Sequence, residues 1–240
     1  MYFPKPQSAA DFEAGMSVIL ALFGFLAFWW AQTSPGVKRY FRNRWGEDKG
    51  QEFKVYFQRA VGVFSFGILP GVVLFAMGAF SWKNYGIDTR FTWFDAATTL
   101  FLSVLAFFMA RAGAQKPDSK AMYPEIKTAV WDRNLLFRSF FWWILYLCAY
   151  ELMFRGYLLF ACERGYGAWS AVAINTAIYS LVHVPKRMTE GVGAIFLGII
   201  LCLLTLYTRT LWVALLVHLV LALSTEWFAL RFHPTIRVER

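Results

Sequence analysis

Glu151 and Arg155 stand four residues apart in the run Tyr150-Glu151-Leu152-Met153-Phe154-Arg155-Gly156 and are the two charges within the apolar stretch Ser139–Cys162. On a helix that interval places both on one face, close enough to pair. Asn175, Tyr179 and His183 follow at successive four-residue intervals, along one slowly drifting stripe. His218 lies in a later apolar stretch, with Ala222 and Thr225 on roughly the same face. Charged groups inside apolar stretches of spanning length are costly, which makes each a functional-site hypothesis. Pairing makes burial of Glu151 and Arg155 tolerable, but a buried ion pair is often no more stabilising than apolar residues, leaving room for another role. A lone intramembrane histidine reads equally well as a hydrogen-bonded packing residue. One carboxylate, one Arg and two His converging from three helices are instead the groups that general acid–base hydrolysis requires.

These residues must be positioned by membrane helices. The 240 residues are 58% hydrophobic and 16% charged, far more apolar than a soluble domain of this length. Stretches at or near the roughly 20 residues that cross about 30 Å of hydrocarbon are Ala14–Ala31, Ala60–Trp82, Ala96–Ala110, Ser139–Cys162, Gly165–Val184, Gly191–Thr208 and Thr210–Thr225. The expected fold is therefore an all-α integral membrane protein, a bundle of about seven transmembrane helices. Asp11 and Glu13 precede the first stretch without a basic leader or small-residue cleavage site, so it is expected to be retained. Pro70 and Gly71 interrupt the second, a position for a tolerated kink. The third is short, with Phe91, Trp93 and Phe94 available to extend it through an aromatic belt. Glu151 falls about twelve residues, or about 18 Å, into its span, whereas His183 ends its own, so the two meet only if the helices are offset or the fifth continues past Pro185.

Assigning alternate loops to opposite sides sorts the charges. Segments 32–59, 111–138, 185–190 and 231–240 carry 18 Lys and Arg; the other side carries five, at Lys5, Lys83, Arg90, Arg164 and Arg209. The positive-inside rule then predicts an external N-terminus and a cytoplasmic C-terminus. The net charge of +9 consequently reads as contact with lipid headgroups rather than nucleic acid. The segment Lys38–Lys54, with Tyr40, Phe41, Trp45 and Phe53, reads as interfacial. Cys148, Cys162 and Cys202 lack metal-type spacing and read as packing residues.

The back half resembles the CAAX protease and bacteriocin-processing (CPBP, or Abi) family of membrane-embedded glutamic proteases. Its motifs Glu-Glu-x-x-x-Arg, Phe-x-x-x-His and His-x-x-x-Asn correspond to Tyr150-Glu151 through Arg155, Tyr179 through His183, and His218 through Ala222. Phe154-Arg155-Gly156, Phe196-Leu197-Gly198 and the approach Thr208–Trp212 match as well, over roughly residues 139–226. The resemblance implies an endopeptidase in which a buried carboxylate and a histidine activate water, with Glu151 as base, His183 as helper and His218 as oxyanion donor. This chain departs from the family at two positions: Tyr150 replaces the first Glu, and Ala222 the Asn that holds the oxyanion. Tyr150, a hydrogen-bond donor, could supply part of what Ala222 cannot. Glu226 is the one other carboxylate considered as a base.

The expected organisation is three N-terminal spans with basic cytoplasmic loops over 1–136, a four-helix catalytic-type core over 137–230, and a short cytoplasmic tail over 231–240. The catalytic set is Glu151, Arg155, His183, His218 and Tyr150, around a polar cavity open to the cytoplasm. No cofactor is expected: Glu151, His183 and His218 could ligate Zn²⁺ chemically, but the His-Glu-x-x-His spacing is absent and the resemblance implies a metal-independent mechanism. Expected partners are the lipid bilayer and a peptide or membrane-protein substrate, with no nucleic acid, and the expected location is a bacterial inner membrane. Two alternatives remain: a catalytically silent relative that binds a peptide, lipid-linked substrate or membrane partner, and a transporter or channel component, for which no inverted repeat speaks.

Overall fold

The computed structural model describes residues 6–78, 81–183 and 188–239. Nine helices are seen among them: α1 (Ala9–Thr33), α2 (Pro35–Trp45), α3 (Glu47–Ala76), α4 (Trp93–Gly113), α5 (Pro117–Met122), α6 (Arg133–Tyr166), α7 (Ala168–His183), α8 (Met188–Thr208) and α9 (Trp212–Phe232). Their starts follow local chemistry. The Ser8 hydroxyl accepts from the Asp11 amide, Ser34 followed by Pro35 opens α2, Thr92 and Asp95 form a capping box for α4, and Asp132 accepts from the Leu135 amide. Two short strands, β1 (Val130–Trp131) and β2 (Arg237–Val238), pair in parallel and tie the C-terminal tail to the connection before α6. These strands lie outside the all-helical expectation, since two residues are too few to show periodicity.

Among the described residues, six helices are long and apolar enough to cross a membrane: α1, α3, α4, α6, α8 over Gly191–Thr208, and α9. The fifth stretch begins later than its hydropathy suggests. There Gly165 and Tyr166 complete α6, Gly167 terminates it at φ +85°, and α7 is left with 16 described residues. The expected end of that span at Val184 lies outside the described residues, as do Lys5, Pro185, Lys186 and Arg187 of the loop assignments.

Helix α6 is the most buried of the spans, and it and α3 each contain a π-helical turn, Val63–Ile68 in α3 and Leu152–Leu158 in α6. In α3 the wide turn lies just before Pro70, which has no N–H to give to the preceding helical turn. The two helices approach closely because glycine faces the contact. A Cβ at Gly62 would come within 2.5 Å of the Tyr146 ring, and one at Gly71 within 2.8 Å of the Tyr157 hydroxyl. Phe28, Phe66, Tyr146, Tyr150 and Phe154 fill the space between α1, α3 and α6. Between spanning helices such side chains stabilise by packing, since lipid tails are as apolar as they are.

The helix ends sort into two sets. At one end Arg164 bonds Glu13 and the Asn84 carbonyl, Arg209 bonds Glu163, the Leu211 amide bonds the Gly86 carbonyl, and Trp212 bonds the Asp88 carbonyl. Tyr85 also donates to Glu13 at 2.6 Å. At the other end Lys54 bonds the Gln32 carbonyl, Arg138 bonds Glu52, and buried Arg59 bonds Glu125 and the Ser139 carbonyl beneath the Trp143 ring. Val55, Tyr56, Ile126, Trp131, Leu135 and Leu230 make a second core there. This is the grouping of loops that alternating spans require.

Candidate active site

The functional side chains come from α6, α7 and α9. Glu151 ends the regular part of α6, and Arg155 lies inside its π turn; neither is exposed to any measurable extent. Arg155 Nη1 donates to Glu151 Oε1 at 3.2 Å, and the guanidinium carbon sits 4.1 Å from the centre of the Tyr179 ring. The interior placement and pairing expected from their four-residue spacing are both present.

His218 enters from α9, its Nδ1 only 2.5 Å from Glu151 Oε1. One carboxylate oxygen thus accepts from a guanidinium and an imidazole, while Oε2, also buried, has no hydrogen-bond partner among the described residues. His183 reaches the same place from α7. Its Nδ1 lies 2.9 Å from the Tyr179 carbonyl, an acceptor, so that nitrogen carries the hydrogen and the lone pair falls on Nε2. The helix offset needed for this meeting is supplied by the break at Gly167. Helix α7 turns back along the second half of α6, and His183 returns to the level of Tyr150, ring centres 6.4 Å apart.

Tyr150 lies at the middle of the group. Its ring is 5.6 Å from that of His218 and 5.8 Å from that of Tyr179, and its buried hydroxyl has no hydrogen-bond partner among the described residues. A buried hydroxyl left without a partner costs about 1–3 kcal/mol. Ala222 packs partly buried against the main core and supplies no polar atom. Glu226 is buried on α9, eight residues or about 12 Å beyond His218. It lies near Lys127, whose ammonium is pushed below its ordinary range by burial although Glu226 opposes the shift. That position separates it from the Glu151 group.

Two features were not read from the sequence. One is the π turn itself, since a one-residue widening leaves no trace in hydrophobic periodicity. The other is the use of Asn175 and Cys202. The Asn175 side-chain amide donates to the Phe154 carbonyl within the π turn, and the Cys202 thiol donates to Asn175 Oδ1 at 3.2 Å. Cys202 is therefore a bonded partner and not only a packing residue; the four-residue stripe that included Asn175 was the available signal. No group of three or more His, Cys, Asp and Glu side chains among the described residues is arranged to hold a metal ion.

A helical membrane-type bundle with a buried Glu–Arg–His centre defines the class of the molecule. Residues 132–224, which carry that centre, match the family described as Type II CAAX prenyl endopeptidase Rce1-like, in keeping with the resemblance that the motifs of this segment carry. Searches of curated proteins and of solved structures returned no match.

Proposed function

We propose that the protein is a membrane-embedded endopeptidase that cleaves a peptide or membrane-associated protein with water activated by Glu151 and His218, in a catalytic core over 137–230. The observation that carries this reading is the shared Oε1 of Glu151, bonded to His218 and Arg155 while buried Oε2 has no hydrogen-bond partner among the described residues. Water held at Oε2 would lose its proton to the carboxylate–imidazole couple, which acts as one titrating unit. The hydroxide would attack the scissile carbonyl, and the Tyr150 hydroxyl is the donor available to the developing oxyanion. His183 would relay a proton through Nε2 to the departing amine. Arg155, fixed over Tyr179, is a positioning residue that orients the carboxylate. A carboxylate held by an adjacent cation is a weaker base, which is why the couple with His218 matters. No step uses a metal or cofactor.

The family match supports a CAAX-type intramembrane protease as the reaction class. The basic loops favour the cytoplasmic face as the side from which water and substrate enter, with the N-terminus external and the chain in a bacterial inner membrane. Purified protein incubated with membrane-anchored peptides, prenylated and unprenylated, beside a Glu151→Gln control tests the proposal. Cleavage that needs Glu151 is expected. Failure of the wild type to cleave any peptide of either class would sink it.

A further inference from the structure

The π turn of α6 separates the two charged residues of the site from the regular helix after them, and its carbonyls bond five residues onward. The amide of Leu159 donates to the Phe154 carbonyl. The same carbonyl receives the Asn175 side chain of α7, and Asn175 in turn receives the Cys202 thiol of α8. Phe154, Asn175 and Cys202 are all fully or almost fully buried. A carbonyl has two lone pairs, so it can hold both donors, and a side-chain amide supplies a donor and an acceptor in fixed relation. Tyr179, which carries the Arg155 guanidinium, stands one turn after Asn175 on the same helix face. The chain from Cys202 through Asn175 to Phe154 therefore ties α8, α7 and α6 together at the place where the helix leaves α geometry, between Glu151 and the end of the wide turn.

We infer that Asn175 is a positioning residue whose bond to the Phe154 carbonyl holds α6 in its π register and so keeps Glu151 in hydrogen-bond reach of His218. Reversion of the turn to α spacing would rotate Arg155 against Glu151 and withdraw the carboxylate from the imidazole, which approaches from a different helix. The inference rests on the hydrolytic reading for its meaning, but its test does not.

With only three histidines in the chain, ¹⁵N-histidine labelling of the full protein in nanodiscs resolves each ring. A hydrogen bond as short as that between His218 and Glu151 places its N–H proton far downfield, and loss of the signal in His218→Gln assigns it. In Asn175→Leu the signal is expected to move upfield or disappear, and Cys202→Ala, which keeps the bond to Phe154, is expected to move it partway. Leu230→Ala, a cavity variant in the second core, provides equal or greater destabilisation and is expected to leave the signal in place. If Asn175→Leu does not fold, Cys202→Ala decides. An unmoved signal in every folded variant of the pair would overturn the inference. Where cleavage is measurable, Asn175→Leu should lower kcat on the order of 10²-fold with little change in KM. Absence of the downfield signal from the wild type would overturn the Glu151–His218 contact and both readings. Absence of cleavage with the signal intact would overturn only the proteolytic one.

Discussion

His218 and Glu151, 67 residues apart along the chain, meet side chain to side chain with Nδ1 2.5 Å from Oε1. The imidazole is thereby bonded to the carboxylate through Nδ1. Replacing Glu151 by Gln keeps the volume but removes the charge on which both His218 and Arg155 depend. Loss of all proteolysis is expected from Glu151→Gln and from His218→Gln, while Glu226→Gln keeps it. Cleavage assays on the three variants decide the assignment, which falls if the first is fully active and the third is dead.

Tyr150→Phe separates catalysis from stability. Its buried hydroxyl has no hydrogen-bond partner among the described residues, so its removal should leave none of them unpaired, and thermal stability should hold or rise. If the hydroxyl meets the oxyanion, kcat falls about 10²–10³-fold. An unchanged kcat would remove Tyr150 from the mechanism.

The contact between α3 and α6 should be intolerant of a single methyl. Gly62→Ala pushes a Cβ into the Tyr146 ring, which is itself stacked on Phe28. Overpacking of this kind costs about 1–3 kcal/mol. A melting temperature equal to wild type would show that the ring moves aside.

The contact between Tyr85 and Glu13 should be sensitive to alkali. Burial raises the Tyr85 phenol above its ordinary range, and its hydrogen bond to Glu13 raises it further. Because the folded value exceeds the unfolded one, the stabilisation is complete below about pH 10 and declines as pH rises beyond that. Thermal unfolding from about pH 9 to 11 should show a loss in the wild type that is smaller in Tyr85→Phe.

Orientation can be read with tags. The 18-to-5 bias of basic residues predicts a cytoplasmic C-terminus. A C-terminal tag that only an external reagent reaches would reverse the assignment.

Much of this was legible in the sequence because membrane burial makes polar residues conspicuous. Glu151, Arg155, His183 and His218 stand out in apolar stretches, and four-residue spacing gave their facing. The spans read as starting at Ala60 and Ser139 belong to helices that start at Glu47 and Arg133, because a helix continues through charged turns that hydropathy excludes. The start of the fifth stretch was misread at Gly165, because hydropathy does not register which of two glycines, one on each side of Tyr166, ends a helix; the positive φ at Gly167 does. The bond from Asn175 to Phe154 was not legible, since it depends on where a carbonyl points within a widened turn.

That widened turn also bears on ancestry and alignment. A π turn holds about one residue more than the α turn it replaces, so the segment Leu152–Leu158 behaves as a helix that has absorbed a single insertion without turning its two halves away from their neighbours. A homologue one residue shorter there could present the same faces on both sides. Alignments that forbid gaps inside helices would then displace Arg155 and Gly156 by one position, and the divergence of such a chain would be overstated at the place where it matters most.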